Sequence, residues 1–328
     1  MKTILTFITV SIAISLQAQD TITLAFGSCN KTSLDQSYWQ NIKAANPSHF
    51  FWLGDAVYAD TDNMDELALF YTKQNSDSNY YEFKKIVAVD GTWDDHDYGV
   101  NDGGCEFKAK KGSKAEFVKF LGFDGKHSIN NHEGVYHSSS IVQNGLIIKT
   151  LFLDTRYFRT ELAFNPERGK RYQPINKGSI LGKTQWSWLE KELNDTTVDL
   201  FIIASSIQAI ANNHYYEKWG NMTHERERLF KLLKNKPSVI ISGDRHIAEF
   251  SAIDNGKYKL YDFTSSGLTH TWRKYQFESN PNRIGKQFAV VNYGLLTIWQ
   301  EEDYLNVEIQ IKDPYTNTTL QQLSLMFD

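Results

Sequence analysis

Short apolar runs alternate with segments of helical spacing along most of the chain. The runs are rich in β-branched and aromatic residues and are bounded by polar or turn-forming residues, which is typical of buried strands. This pattern predicts strands over residues 21–26, 49–53, 85–89, 146–153, 199–204 and 238–242. Helical spacing of apolar residues predicts helices over residues 34–45, 113–121, 183–193 and 223–234, the last with Thr223 as its N-cap.

Two further patterns complete the predicted fold. Asn144-Gly145 lies between two apolar runs and predicts a tight hairpin turn. After residue 257 the pattern becomes strand after strand, over residues 259–266, 288–300, 304–312 and 321–327. Strands that alternate with helices and then follow one another directly predict a mixed, layered α/β domain.

The N-terminus has the pattern of a secretory signal. Lys2 precedes an apolar stretch from Ile4 to Leu16, and Ala18 is a small residue suited to cleavage. We therefore predict a signal peptide over residues 1–18, one domain over residues 19–328, and a secreted or periplasmic protein. A first buried strand is the alternative reading of this stretch. The stretch is short for a membrane span, and no other segment is apolar for long enough.

Composition and charge narrow the classes of partner. The 328 residues are 41% hydrophobic, which favours a folded globular chain over a disordered one. Removing Lys2 with the signal peptide changes the formal charge from -4 to -5. This mild acidity argues against a nucleic-acid partner or a membrane-surface binder, so a small-molecule substrate is expected. The two cysteines, Cys29 and Cys105, could form one disulfide in an oxidising compartment.

Polar side chains follow each of the predicted parallel strands at the point where the strand ends. Any one of them has an ordinary explanation as a helix cap, a turn residue or a small buried side chain. The carboxyl ends of strands in α/β sheets lie along one edge, however, so together they predict a common site. The clusters are Cys29; Asp55; Asp94, Asp95 and His96; Asp154 and Arg156; Ser205, Ser206 and Gln208; and Asp244 and His246.

The acidic residues of this edge require a compensating cation. Crowded carboxylates repel one another and take up protons unless positive charge is close. One or more metal ions would hold Asp55, Asp95 and Asp244 ionised and would lower the pKa of a coordinated water. The sequence therefore predicts a metal centre.

Seven segments together resemble a known family, the alkaline phosphatase D or PhoD-like family of the calcineurin-like metallophosphoesterases. They occur in family order: "FGSCN", "WLGDAVYAD", "WDDHDYGVND", "FLDTR", "LGKTQWSWLEKEL", "ISGDRH" and "DFTSSGLTH". The resemblance implies an α/β fold, a four-layer αββα metallophosphoesterase sandwich of two mixed β-sheets flanked by helices. It also implies a binuclear or multinuclear metal centre that hydrolyses phosphate monoesters or diesters by attack of a metal-bound hydroxide.

The resemblance assigns roles to the residues of the first three motifs. Cys29 occupies the position of a thiolate ligand to iron(III), and Asp55 that of the bridging ligand. Asp95 stands where related enzymes place a ligand of the second metal. His96 would assist the leaving group, with Asp97 to orient it.

The remaining motif positions complete the implied ligand set. Asp244 and His246 occupy the closing ligand motif. Tyr58, Asp94 and Asn101 are expected near the metals, as ligands or as residues that support ligands.

Ligand chemistry separately predicts two unlike metals. Cys29, Asp55 and His246 form a mixed sulfur, oxygen and nitrogen set suited to a transition metal. Asp55, Asp95 and Asp244, with Gln208 as a further candidate, form an oxygen-rich set that favours calcium or magnesium. We expect Fe(III) in the first site and Ca(II) in the second, with zinc or manganese as the alternatives.

Several residues are candidates for substrate binding. Arg156 could hold phosphate through its planar guanidinium, or could instead form an ion pair with Asp154 or another carboxylate. Arg159 is a second candidate. His214 and Trp219 could cover the leaving group, with aromatic packing under a loop as the alternative.

The basic stretch "PERGKRYQPINKG" is another candidate for contact with substrate. It carries Arg168, Lys170 and Arg171, which could guide anionic substrates. A solvated loop is the alternative for this stretch.

Two rival functions remain open at this point. The first is a phosphodiesterase or phospholipase D-like enzyme acting on glycerophosphodiesters, phospholipids or cyclic nucleotides. The second belongs to a different class, a non-catalytic secreted binding protein in which Cys29 pairs with Cys105 in a disulfide. A count of free thiols separates the metal-ligand hypothesis from the disulfide hypothesis.

Overall fold

The computed structural model of the chain describes residues 21–328. The predicted signal peptide lies outside the described residues. The strands are β1 (Ile22–Gly27), β2 (His49–Leu53), β3 (Ala88–Thr92), β4 (His137–Gln143), β5 (Leu146–Phe152), β6 (Leu200–Ser205), β7 (Ser238–Ser242), β8 (Ala248–Asp254), β9 (Lys259–Ser265), β10 (Arg283–Phe288), β11 (Tyr293–Glu301), β12 (Tyr304–Lys312) and β13 (Thr319–Phe327).

The helices lie between the strands of the first three quarters of the chain. They are α1 (Tyr38–Ala44), α2 (Met64–Ser76), α3 (Ser78–Lys84), α4 (Asp95–Tyr98), α5 (Lys110–Leu121), α6 (Gly182–Glu192) and α7 (Thr223–Leu233), with short 3₁₀ turns at Ser128–Asn131, Trp219–Asn221 and Arg273–Tyr275. None of the helices within residues 21–328 has the length and apolar character that crossing a membrane requires.

Within residues 21–328 the strands form two mixed sheets. The first has the order β13-β12-β11-β1-β2-β3, in which β1, β2 and β3 run parallel. The second has the order β10-β8-β9-β7-β6-β5-β4, in which β5, β6, β7 and β9 run parallel. The remaining neighbours in both sheets are antiparallel.

One hydrophobic core joins the two sheets. It contains alternate residues of both, such as Leu24 and Phe26 on β1, and Ile202 and Ile241 on β6 and β7. Burial of such side chains stabilises the folded chain by about 1.5–3 kcal/mol each before entropic costs. The sheets are thus held face to face.

Helices cover the outer face of each sheet. Outside the first sheet, Trp39 of α1 packs on Phe50 and Trp52 of β2 with ring centroids 4.9 and 5.4 Å apart. Outside the second sheet, Trp186 of α6 and Leu229 of α7 pack over strands of that sheet. The predicted α/β fold, two mixed sheets flanked by helices in four layers, is confirmed.

The structure corrects three local predictions. Helix α7 begins at Thr223, so Met222 and not Thr223 is its N-cap. The strand expected over residues 85–89 is β3 at Ala88–Thr92, because the turn after α3 continues until the Val87 N–H donates to the Phe83 carbonyl. The run at 288–300 is divided between β10 and β11, which belong to different sheets.

Candidate metal centre and active site

The candidate site lies where parallel strands of both sheets end. Cys29 lies two residues after the end of β1, Asp55 two residues after the end of β2, and Asp244 two residues after the end of β7. Asp94 and Asp95 follow β3 directly after Trp93. Because the two sheets pack face to face, the ends of β1, β2 and β3 meet the end of β7, and the four strand ends share one crevice.

Close turns at two strand ends depend on glycine. A Cβ on Gly54 would lie 2.2 Å from Cβ of Asp94, and a Cβ on Gly243 would lie 2.4 Å from the carbonyl oxygen of Leu53. Any other residue at these positions would push the strand ends apart. The two "GD" segments therefore bring Asp55 and Asp244 together.

Backbone strain concentrates at the same place. Cys29, Asp55, Asp244 and His246 have φ angles of 60°, 51°, 66° and 54°, in the left-handed region that non-glycine residues rarely adopt. Such conformations cost about 1–3 kcal/mol each and persist where the surroundings fix them, commonly at functional sites.

Three overlapping groups of ligand atoms form the centre. Within each group the atoms lie within 4.8 Å of one another. Asp55 belongs to two of the groups and so does Asp95, so the groups are continuous. They are Cys29, Asp55 and His246; Asp55, Asp95 and His96; and Asp94, Asp95 and Asp244.

Burial makes the acidic groups of this centre poor anions without a cation. It raises the pKa of Asp55 to about 6, and it raises the pKa values of Asp94 and Asp244 well above the ordinary range. Asp95 behaves differently: although burial raises its pKa, the nearby Arg156 and His96 hold that pKa below its usual value. Positive charge at the centre would keep all four carboxylates ionised.

The surroundings of individual ligand atoms in the first and third groups also fit a metal centre. The Cys29 thiol lies 3.5 Å from Oδ2 of Asp55 and 3.1 Å from the Ser266 hydroxyl oxygen, and burial, followed by the Asp55 charge, raises its pKa. Nδ1 of His246 and Oδ2 of Asp94 are buried and have no hydrogen-bond partner among residues 21–328. Buried polar atoms are almost always paired, so these unpaired donors fit a metal centre.

His96 is held by a residue that the sequence analysis did not identify. Its Nδ1 lies 2.7 Å from Oδ1 of Asp60. Although burial opposes protonation, the charges of Asp55 and Asp95 raise the pKa of His96 to about 10. Asp60 ends the second motif, "WLGDAVYAD", two residues after Tyr58, which the sequence analysis does place near the metals.

The sequence analysis predicts that Asp97 orients the His96 imidazole, but in the structure Asp97 makes other contacts. Its Oδ2 accepts from the Ala56 N–H at 3.0 Å and its Oδ1 accepts from the Asp94 N–H at 2.6 Å. Both residues lie on α4, where successive side chains point about 100° apart, so adjacent positions cannot face each other. Asp97 instead ties the turns that carry Asp55 and Asp94.

Arg156 lies beneath the centre and not in the crevice. Its guanidinium is fully buried, with Nε donating to Oδ1 of Asp94 at 2.6 Å and Nη1 donating to Oε2 of Glu217 at 2.5 Å. Nε of Arg159 lies 3.0 Å from the other oxygen of Glu217. The ion-pair alternative is therefore observed for Arg156, with Asp94 in place of Asp154 as the partner, and neither arginine lines the crevice.

The remaining predicted ligands divide into two sets. Tyr58 packs against His96, with ring centroids 4.3 Å apart, and Asn101 lines the crevice. Gln208 is buried, its Nε2 donates to Glu249 at 2.9 Å and to Thr264 at 2.8 Å, and its Oε1 has no hydrogen-bond partner among residues 21–328. The all-carboxylate group contains Asp94 in addition to the predicted Asp95 and Asp244, whereas Asp55 belongs to the other two groups.

His214 and Trp219 do not line the crevice. Trp219 is fully buried and its Nε1 donates to the Ser205 hydroxyl at 3.0 Å. His214 is buried as well, and its Nδ1 accepts from the Tyr216 N–H at 3.3 Å. The packing alternative thus describes their positions, and Tyr216 and Glu217 are the residues of this segment that reach the crevice.

The crevice is a pocket of about 360 Å³ above the centre. The sequence analysis predicted the residues of its floor but not most of its walls, which include Trp272, Lys274 and Tyr275 from the segment directly after the last motif. Its lining residues include Lys31, Tyr58, Asp60, Asp95, His96, Asn101, Asp102, Arg171, Tyr216, Asp244, Arg245, His246, His270, Trp272, Lys274 and Tyr275.

Both cysteines are free thiols in the structure. Cys29 is buried at the centre, and Cys105 is exposed. The disulfide that the sequence left open is not formed.

Comparison with known proteins gives one family and one shared fold. The family model described as PhoD-like phosphatase matches residues 24–272. The solved structure of PhoD is 17% identical, with a TM-score of 0.72 over 94% of this chain and 70% of that one. A phosphatase from Mycoplasma pneumoniae is a weaker likeness, 11% identical with a TM-score of 0.35 over 94% of each chain. No curated protein sequence matches the chain.

Proposed function

The chain belongs to the PhoD-like phosphatase family and is a hydrolase acting on phosphoric ester bonds, and we propose that it cleaves small phosphate monoesters at the pocket above the ligand groups. The observation that carries this proposal is the continuous set of ligand atoms at the pocket floor. Asp95, His96, Asp244 and His246 belong both to that set and to the pocket lining. Family membership leaves the non-catalytic binding-protein alternative without support.

We propose two unlike metals for the centre. Cys29, Asp55 and His246 would hold the first, and their sulfur, oxygen and nitrogen donors favour a transition metal, here iron(III), over calcium or magnesium. Asp94, Asp95 and Asp244 would hold the second, and an all-carboxylate set favours calcium, with magnesium, manganese or zinc as alternatives. When bound, the cations would supply positive charge that activates water and polarises the phosphoryl oxygens.

His96 is the proton donor that we propose for the departing oxygen. Asp60 accepts from Nδ1, so Nε2 is the ring nitrogen left for substrate. The His96 side chain is largely buried but reaches the pocket. A histidine in this position would donate a proton to the leaving alkoxide as negative charge develops on its oxygen. Such general-acid catalysis raises the reaction rate by about a hundredfold or more.

Other residues of the chain would hold the centre in place. Arg156 fixes Asp94, and Asp97 ties the two strand-end turns. The Ser266 hydroxyl lies beside the Cys29 thiol and also accepts from the His246 N–H at 2.9 Å. These contacts restrict the ligand atoms before any substrate arrives.

The experiment that tests this function is a comparison of turnover of glycerol phosphate, whose leaving alkoxide needs a proton, by the native protein and by His96→Ala. We expect the variant to lose about a hundredfold or more in kcat. His132→Ala is the matched control, because His132 stacks on Tyr136 outside the pocket. Near-native turnover by His96→Ala with its metals retained would remove the proposed role.

A phosphodiesterase is the second candidate function, and one observation favours it. A neighbouring pocket of about 600 Å³ shares Asn101, Asp102 and Arg171 with the first and is lined in part by Phe164 and Leu162. A second alcohol arm of a diester could occupy it. Rates on bis(4-nitrophenyl) phosphate beside those on 4-nitrophenyl phosphate decide the preference.

Export is a further proposal, supported by the apolar stretch from Ile4 to Leu16 and by Ala18. The mature protein would act in the periplasm or outside the cell. N-terminal sequencing of protein recovered from the extracytoplasmic fraction tests it, since the expected sequence begins at Gln19.

A further inference from the structure

One wall of the pocket alternates aromatic rings with cations. The Arg245 guanidinium lies over the rings of Tyr216 and Tyr275, at 4.8 and 4.7 Å from their centroids. The Lys274 ammonium lies 4.8 Å from the Tyr275 ring and 4.5 Å from the Trp272 ring. All five residues line the pocket. Cation–π contacts at these distances order the wall.

Trp272 stands where this wall meets the metal centre. Its ring centroid is 5.7 Å from that of His246, and its backbone N–H donates to the His246 carbonyl at 3.2 Å. The Trp272 ring is therefore adjacent to the space in which a phosphoryl group bound at the centre would project its organic part.

Trp272 is also more exposed than packing alone would explain. It is 43% exposed, whereas Trp39, Trp52 and Trp93 are fully buried in the same chain. A large aromatic ring left in water at a pocket gains free energy when a ligand covers it.

Lys274 provides charge that the protein does not neutralise. Arg245 is paired with Glu278 at 2.6 Å, and Arg171 is paired with Asp102 at 2.5 Å. Among residues 21–328, no carboxylate lies within ion-pair distance of Lys274, which is exposed at the pocket mouth. An anionic ligand group next to the Trp272 ring would meet this ammonium directly.

We infer that Trp272 and Lys274 form a subsite for the organic part of the substrate, and that it selects a planar ring carrying a negative charge. The inference rests on the proposed function, because it takes the phosphoryl group to bind at the ligand groups. Trp272 stacks on the ring, and Lys274 pairs with its acidic substituent. Arg245, held between two tyrosines and Glu278, keeps the wall in position.

The ring preference is tested by binding of phosphonates, which resist hydrolysis, to the purified protein by calorimetry. We expect phenylphosphonate to bind about tenfold more tightly than methylphosphonate, as one aromatic stacking contact allows. Trp272→Leu should bring the two affinities within about twofold of each other. Tyr304→Leu is the matched control, because Tyr304 is 41% exposed on β12 and does not line the pocket.

The charge preference is tested in the same way with 4-carboxyphenylphosphonate. The native protein should bind it about threefold more tightly than phenylphosphonate, the size expected of one exposed ion pair, and the gain should fall in high salt. Lys274→Gln should abolish the gain, and Lys286→Gln, at an exposed position of β10 outside the pocket, should keep it.

Three results would overturn the subsite. The first is equal affinity of the native protein for phenylphosphonate and methylphosphonate, and the second is no binding of either. The third is an unchanged affinity ratio in Trp272→Leu. Failure of the proposed function is read separately, from absence of hydrolysis of glycerol phosphate and 4-nitrophenyl phosphate, while the phosphonate ratios would still report on the subsite.

Discussion

Nδ1 of His96 lies 2.7 Å from Oδ1 of Asp60, although 35 residues separate them in the chain. The pairing gives Nδ1 an acceptor and leaves Nε2 as the ring nitrogen available to substrate in the pocket that His96 lines. Asp60 itself has a positive φ of 48°, so the turn that carries it is held in an uncommon conformation. Asp60 is therefore a positioning residue for His96.

Asp60→Asn should lower kcat on a phosphate monoester by about tenfold and leave KM within about twofold. The amide can still contact Nδ1, but it no longer stabilises positive charge on the ring. The split between kcat and KM is the measurement, because a structural defect in the pocket would change both. Asp62→Asn is the control, since Asp62 is an exposed neighbour of the same charge. Equal losses in the two variants would contradict the assignment.

Arg156→Gln should destabilise the fold by about 3–5 kcal/mol, measured by urea unfolding. The guanidinium neutralises Asp94 and Glu217, which are both buried, and the variant removes the ion-pair partner of Asp94 and leaves Glu217 with Arg159 alone. The pKa of Glu217 is already raised by burial, so loss of the cation would favour its neutral form further.

Arg228→Gln is the matched control for that experiment. Arg228 pairs with Glu190 at 2.7 Å, and both side chains are 42% exposed. Exposed pairs contribute under about 1 kcal/mol. A similar small effect of Arg156→Gln, together with a raised KM, would instead favour the phosphate-contact role first expected for Arg156.

His137 should make the stability of the fold depend on pH. It is buried on β4 with Nε2 2.7 Å from Oδ1 of Asp90, and its ring stacks on Phe152 at 4.7 Å. Burial lowers the pKa of His137, but the charge of Asp90 and its hydrogen bond outweigh burial and raise that pKa above its usual value. The His127 ring also lies close to His137. A raised folded-state pKa stabilises the protein fully below the unfolded pKa, and the contribution is lost as pH rises through the folded pKa.

The free energies of unfolding of the native protein and of His137→Gln, measured from about pH 5 to about pH 9, test this. The gap between them should be largest at the acidic end and should narrow as pH rises. A gap that widens with pH would show that His137 is held neutral.

The two thiols should react in two steps. Cys105 is exposed and should be modified rapidly in the native protein, whereas buried Cys29 should react only after unfolding with a chelator. Colorimetric thiol titration should therefore give one equivalent and then two. Cys105→Ser should remove the rapid step alone. Absence of free thiols in the unfolded protein would restore the disulfide hypothesis.

The sequence predicted the inner architecture well because buried strands carry a strong local signal. The runs at 49–53 and 238–242 coincide with β2 and β7, and the Asn144-Gly145 turn joins β4 to β5 with both residues at positive φ. Helices α2 and α3 and strand β8 were not predicted. In helix α2 the unbroken run Leu67–Tyr71, with exposed Leu69, hides the helical spacing of the buried residues, and β8 carries Glu249 and Asp254 among its apolar residues, so neither shows a clear period in the sequence.

Only part of the candidate site could be predicted from the sequence. Residues at strand ends, such as Asp55 and Asp244, could be predicted because the fold brings strand ends together. Contacts that depend on side-chain direction could not, and so Asp60 replaced Asp97 as the partner of His96. Trp272 comes from a loop that no local pattern connects to the centre.

The most direct test of the account is elemental analysis of the native protein beside Asp55→Asn. Asp55 belongs to two of the three ligand groups, so its loss should weaken binding at both ends of the centre. We predict about two metal ions per native chain, a transition metal among them, and loss of at least one ion in Asp55→Asn together with phosphatase activity. Fully active native protein that contains no metal would contradict the central claim.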